Sequence, residues 1–407
     1  MRSMKGTKLA ANIPLFYLYK AFSSFILDRA IWMLFLLSEG FSLSQIALLE
    51  SAYHCTSFLL EVPTGYVADR YGKRASMLVA ELIGVVSSGL LLWSGHGSIV
   101  VAGFLLGAVV GTFRSGATSA WIYETYRQLG KEGDFKRANS RLSAVSLVAL
   151  GLSGVAGGAL SAVDWAWVYA GNTALCLLTV VTLLLATEPR PEADEADGAN
   201  NANAGGGGVS AYSFRKQLAV GFAFGRSDRH FAALCVYGAV LYAMSWSIAF
   251  YSQVVFRDTG LNNGWIGTIN GIETWVSAAA AAVAFVGERR LGKRGSIVVS
   301  GIGFAAGLAM FVLARDAGAA IAAYLLMAVF VSYLEPLLEA YMNERLPSPI
   351  RATMLSFFSM AISIGMMATF SAIGFLADRI GVSAALQIAL VVWLPLCLAA
   401  MRLAVKR

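Results

Sequence analysis

Apolar residues run along this chain in long stretches rather than in the alternation of a half-buried strand. Twelve such stretches lie near residues 12–37, 44–67, 76–94, 99–124, 142–163, 166–186, 230–256, 264–286, 296–314, 318–344, 352–376 and 384–404. Each is close to or above the roughly 20 residues that a helix needs to cross a bilayer. Lipid offers no partner to a backbone N–H or C=O, so a spanning segment is a helix or a strand of a closed barrel. Barrel strands would alternate apolar and polar with a period of two, and these stretches do not. The pattern predicts an all-α membrane protein with twelve transmembrane helices.

Composition agrees: of 407 residues, 57% are hydrophobic and 14% charged, where a soluble domain carries about 25% charged residues. The net charge of +7 gains its meaning from where the charges fall. Of 31 Lys and Arg, Lys20, Arg29 and Arg114 lie inside spans, and Arg257, Arg315 and Arg379 lie between spans on one face. The other 25 lie on the opposite face with both termini. Basic loops stay in the cytoplasm, so the pattern predicts cytoplasmic termini in a multi-pass protein of the cell membrane, and the excess is no nucleic-acid patch. Four cysteines (Cys55, Cys176, Cys235, Cys397) fall singly in apolar spans, in the pattern of neither a disulfide framework nor a metal cluster. The basic N-terminus has no small-residue cleavage site after it, so the first span reads as retained.

Between the sixth and seventh spans runs "EPRPEADEADGANNANAGGGG", Glu188 to Gly208, acidic and then pure glycine. Such a segment buries no apolar surface and reads as a linker. It predicts an N-terminal six-helix bundle over 1–187, a linker over 188–216 and a C-terminal bundle over 217–407. The halves echo each other: "YGKRASMLV" (71–79) returns as "LGKRGSIVV" (291–299), a shift of 220, and "WIYETY" (121–126) aligns with "PLLEAY" (336–341), a shift of 215. Both echoes occupy equivalent places, which points to an internal duplication. Two six-span halves joined by a linker is a transporter layout.

The turn after the second span reads "EVPTGYVADRYGKR" (61–74), a dense knot of charge between two apolar stretches. Its skeleton, Gly65-x-x-x-Asp69-Arg70-x-Gly72-Lys73-Arg74, resembles the loop signature of the major facilitator superfamily at the expected loop. The longer stretch is similar to that of bacterial drug–proton antiporters and related exporters. Physically, Gly65 and Gly72 permit a tight turn and close helix approach. Asp69 suits the positive N-terminus of a neighbouring helix; the resemblance makes that neighbour the eleventh span and the contact a latch on the cytoplasmic side. Arg70 and Arg74 then have Glu124, at the end of span 4, as the nearest acid. The copy in the second half, "FVGERRLGKR", has Phe285 and Arg289 where the glycine and aspartate belong, so Glu288 would supply any acid there. On the opposite face "GFLADRIG" (374–381) reads as a local turn and closure element. Span 5 carries "GLSGVAGG" (151–158) without the proline that such exporters usually have there.

An ionisable residue at membrane depth costs at least about 2.5–3.5 kcal/mol on insertion scales, so each needs a reason. Span 1 carries Lys20, Asp28 and Arg29; span 2 Glu50, His54 and Glu61; span 4 Arg114; span 8 Glu273; span 10 Glu335 and Glu339 around Pro336. The resemblance implies that spans 1, 4, 7 and 10 line a central cavity, flanked by 2, 5, 8 and 11. Within it, Arg114 resembles an arginine that tunes a span-1 acid, here Asp28, for proton exchange. Arg29 is the competing partner that would neutralise Asp28 structurally. Glu335 and Glu339 read as a cation site, a proton site or gate partners of Lys20. Tyr17, Trp32, Tyr123, Tyr242, Trp246 and Trp275, with Tyr251, read as aromatic walls. Bases in the first half and acids in the second suit a lipophilic cation or a zwitterionic or anionic metabolite such as an amino-acid-derived metallophore or siderophore. Three scattered His and isolated Cys give no catalytic or metal set for a membrane enzyme, and no phosphate-binding loop for an ATP-driven pump is present. The resemblance therefore implies a monomeric secondary transporter, exporting a small organic molecule in exchange for protons, with no cofactor.

Overall fold

The computed structural model describes residues 9–189, 224–347 and 350–406, so the linker predicted over 188–216 lies outside the described residues except for its first two. Among the described residues the regular structure is helical, with no strand. The helices are α1 (Asn12–Ser24), α2 (Trp32–Ser38), α3 (Leu43–Tyr71), α4 (Lys73–Leu92), α5 (Gly97–Arg114), α6 (Ala117–Gln128), α7 (Glu132–Ser161) and α8 (Trp165–Leu185) in the first half. The second half holds α9 (Arg229–Asp258), α10 (Asn263–Ala282), α11 (Ala284–Leu313), α12 (Ala317–Arg345), α13 (Arg351–Ile380) and α14 (Val382–Val405). Taking α1 with α2 as the first span and α5 with α6 as the fourth, these helices fit the twelve stretches read from sequence. Among the described residues, nine segments are long and apolar enough to cross a membrane by themselves. The first span falls outside that group because it is broken; α3 and α10 do so because polar residues such as Glu50, His54 and Asn270 interrupt them.

Helices α1–α8 pack mainly on one another and α9–α14 likewise; between them run α7 against α10, α3 against α13 and α2 against α9. The α7–α10 seam is a backbone contact. A Cβ on Gly158 would sit 2.6 Å from the carbonyl oxygen of Asn263, and one on Gly154 would sit 2.9 Å from that of Gly267. The stretch "GLSGVAGG" therefore gives close approach, as glycine at a helix crossing does.

These seams gather near the face with few basic residues. There Ser51 and Ser371 hydroxyls lie 3.2 Å apart, and the Leu43 and Ser44 amides donate to the two carboxylate oxygens of Asp378, both at 2.9 Å. Trp32 sits between Phe104, Phe250 and Phe370. At the basic face the same helix α3 is bare: Leu59, Val62, Tyr66 and Tyr71 are all exposed and the Asp69 side chain is 73% exposed. The molecule is thus closed on the charge-poor face and open on the basic one.

Candidate coupling and substrate site at the broken first span

The first span stops at Ser24 and resumes at Trp32, with Asp28 and Arg29 in the gap. Neither Gly nor Pro interrupts the sequence there; neighbouring helices take over the backbone groups that the break frees, the condition for non-helical chain at depth. Ser153 Oγ of α7 donates to the Ile26 carbonyl at 3.0 Å. Gly157 leaves room for the Leu27 carbonyl, whose oxygen would overlap any Cβ at that position. Asn172 of α8 does two jobs: its Oδ1 accepts from the Leu27 amide at 3.0 Å, and its Nδ2 donates to Asp28 Oδ1 at 2.9 Å. Across the seam, the Met33 amide donates to Gln253 Oε1 of α9 at 3.2 Å.

The expected pairing of Arg114 with Asp28 is not what forms. Arg114 donates twice to Glu81 of α4, from Nε at 2.9 Å and Nη2 at 2.6 Å, and once to the Ser23 carbonyl at 3.4 Å. Glu81 is fully buried. A bidentate guanidinium–carboxylate fork satisfies both charges in place, so Arg114 has no charge to spare for Asp28. Among the described residues Arg29 makes no ion pair within 4 Å. Asp28 is left with a neutral amide as its side-chain partner among the described residues.

In the second half, Glu273 accepts from Ser277 Oγ at 2.7 Å and lines a cavity of about 30 Å³ with Ser245 and Tyr324, room for a water molecule. Glu335 and Glu339 are exposed and form no ion pair among the described residues. The buried Tyr242 hydroxyl close to them has no hydrogen-bond partner among the described residues. Lys20, half-buried on α1, has no ion partner either, so its gate contact with Glu335 or Glu339 is not made in this open form. Glu50 and His54 lie 3.4 Å apart on α3.

The family model of the Major Facilitator Superfamily matches residues 15–272. The chain belongs to that superfamily. It is 19% identical over 378 residues, 91% of each chain, to an uncharacterized MFS-type transporter, YxaM, of Bacillus subtilis (strain 168). Its fold is shared with the nucleoside transporter NupG (TM-score 0.76, 13% identity, 99% of each chain). It is shared also with a bacterial homolog of the human lysosomal transporter Spinster, solved inward-facing and unoccupied (TM-score 0.71, 13% identity, 98% of this chain and 96% of that one). A third is a D-xylose–proton symporter (TM-score 0.64, 13% identity, 98% and 97%).

In this superfamily member the expected aromatic wall divides. Tyr17 is half-buried, and Tyr123, Trp246 and Trp275 are exposed, with Tyr123 edge-on to Phe135 and Trp275 crowding Gly151 at the seam. Tyr242 is buried edge-on to Phe358. Trp32 is buried against Phe104, Phe250 and Phe370 where the halves meet. Tyr251 likewise is buried and donates to the Phe370 carbonyl at 2.8 Å.

The charged corner also differs from expectation. Among the described residues Asp69 makes no contact with the eleventh span; its carboxylate lies 3.8 Å from Lys73. Lys73, not Arg70 or Arg74, pairs with Glu124, at 3.4 Å. Arg74 instead donates to the Leu183 and Leu184 carbonyls at the end of α8. Gly72 takes φ 99°, and Glu188, read as the start of the linker, accepts from the Lys73 and Arg74 amides at 2.9 and 2.8 Å. It caps α4 and belongs to the first half; burial raises its carboxyl above the usual value although these amides pull it down. The second-half corner repeats this plan with Gly292 at φ 70° and Lys293 paired with Glu344. Glu344 is thereby the counterpart of Glu124, since the pair Lys293–Glu344 stands at the same shift of 220 from Lys73–Glu124. Glu339, aligned with Glu124 by the 215 shift, is exposed and makes no ion pair among the described residues.

Proposed function

We propose that the protein is a proton-coupled secondary transporter that exports a small organic molecule from the cytoplasm across the cell membrane, by rocking its two six-span halves about the seams. The observation that carries the coupling is Asp28: an acid in the break of the first span, held by the neutral Asn172 amide while the nearby arginine is committed to Glu81. Protonation of Asp28 would remove its charge and relax its grip on Asn172, and so bias the break that leads directly into the closure cluster at Trp32. The basic face is the cytoplasmic one by the positive-inside rule, which makes the open form inward-facing and puts both termini in the cytoplasm.

The exposed acids Glu335 and Glu339 would suit a positive group on the substrate, and Lys20 and Arg29 a negative one. A zwitterionic metabolite such as an amino-acid-derived metallophore fits the same arrangement. The test is proton release by purified protein on addition of compounds from a panel: lipophilic cations, zwitterionic metallophores, nucleosides and sugars, with Asp28→Asn as control. A cation or zwitterion that releases protons from the wild type and none from the variant supports the reading. Binding without release removes exchange and puts uptake in its place.

A further inference from the structure

Two octapeptides at opposite ends of the molecule share one pattern: "GYVADRYG" (65–72) and "GFLADRIG" (374–381) agree in Gly, Ala, Asp, Arg and Gly at the same five places. The structure makes them one local device. Gly72 (φ 99°, ψ 152°) and Gly381 (φ 84°, ψ 157°) end α3 and α13 with nearly the same backbone, and α4 and α14 start at the next residue. The Gly72 amide donates to the Ala68 carbonyl at 3.1 Å and the Gly381 amide to that of Ala377 at 2.9 Å. The glycine turn presents the preceding aspartate to the helix that packs alongside. Because α3 and α13 run antiparallel against each other, Asp378 stands at the N-terminus of α3 on one face, and Asp69 ends α3 on the face where α13 begins.

The two aspartates differ in occupancy. Asp378 is engaged: its oxygens take the Leu43 and Ser44 amides at the start of α3, both at 2.9 Å across the seam between the halves. These are charge-assisted bonds to a positive helix end. Asp69 is disengaged, exposed beside Lys73, and the start of α13 has no side-chain cap and no acid in its first turn.

We infer that Asp378 is the latch of the charge-poor face and works in opposition to Asp69: one aspartate caps its partner helix while the other is free, and the exchange sets which face is open. The contact of Asp69 with the eleventh span is what the superfamily's loop signature implies; the opposing latch at Asp378 is this chain's second copy of the same device. Rocking α3 on α13 cannot close both ends at once, so the two caps alternate. The device depends on neither the substrate nor the proton site, and it stands if Asp28 fails its test.

The experiment is electron–electron distance measurement on the full-length protein, with its four cysteines replaced and spin labels at His96→Cys and Arg315→Cys on the charge-poor face. A second pair, Lys131→Cys and Arg290→Cys, reports the basic face. With Asp378→Ala, the first distance should lengthen and the second shorten, with a change of roughly tenfold or more in the ratio of the two populations, the size expected for charge-assisted bonds. Asp378→Asn, which keeps the shape with a weaker acceptor, should shift the ratio less in the same direction and covers the case in which the alanine variant does not fold. Asp69→Ala should not open the charge-poor face, and adding it to Asp378→Ala should move the ratio back toward the wild type. Unchanged distances in both Asp378 variants, or both pairs lengthening together, would overturn the inference.

Discussion

Arg114 and Glu81 show what side-chain partnership decides. A guanidinium and a fully buried carboxylate meet at 2.6–2.9 Å between α5 and α4, and removing one partner strands the other. Glu81→Gln should lower the stability of the detergent-solubilised protein by about 3–5 kcal/mol, read from equilibrium unfolding, with a smaller loss for Arg114→Gln/Glu81→Gln together. Asn172→Ala should leave the Leu27 amide and Asp28 unpartnered, at about 1–3 kcal/mol, and should abolish proton release in the assay above. At the basic face, Arg345 donates to both Asp228 oxygens at 2.8 and 3.0 Å. Burial alone would raise the Asp228 carboxyl, but Arg345 and the Phe231 and His230 amides outweigh it and hold the group below its usual value. A depressed acid contributes stability above its unfolded value, about 3.9, and loses it as pH falls through the lower folded value. The stability gap between wild type and Arg345→Gln should therefore be constant near neutral pH and shrink below about pH 4; a gap that grows in acid would contradict this. The identity of the buried charges was legible in the sequence, since each stands out in an apolar run. Their pairing was not: Arg114 finds Glu81 rather than Asp28 because helix rotation decides partnership, and no spacing along one helix records its angle to the next.

The helices themselves were legible from apolar length, and the close α7–α10 seam from the glycines of "GLSGVAGG". Gly158→Ala puts a methyl against the Asn263 carbonyl, 2.6 Å from the new carbon, and should cost about 1–3 kcal/mol in the same unfolding measurement. Gly65→Ala, with nothing within 4 Å of its added carbon, should be nearly neutral in this open form. The break in the first span escaped the sequence because no Gly or Pro marks it. Its cause lies in α7 and α8, which supply Ser153, Gly157 and Asn172. The role of Trp32 went with it: an aromatic in an apolar stretch reads equally as wall or core, and the break turns it toward Phe250 and Phe370. Of the two glycines that suit a tight turn, Gly72 makes it at φ 99° and Gly65 lies within α3; Glu188 reads as linker in sequence because its carboxylate acts on a helix far along the chain.

At the scale of the molecule, the distribution of Lys and Arg fixes the expected orientation, and the seams fix which face is closed. A reporter fused to the C-terminus that is active only in the cytoplasm should be active, and one active only outside should be silent; the reverse would invert the assignment of faces. The echo between the halves extends from letters to geometry, since the Lys73–Glu124 pair and the Lys293–Glu344 pair stand at the same shift of 220. In the proposed cycle, proton movement through Asp28 drives transport. Its most direct test is flux in proteoliposomes loaded with the compound that binds most tightly in the panel, under an imposed pH gradient. In the wild type the gradient should accelerate substrate movement opposite to the protons. Asp28→Asn should retain substrate exchange without a gradient but no longer respond to one. Wild-type flux indifferent to the gradient, or an equal response in Asp28→Asn, would contradict it.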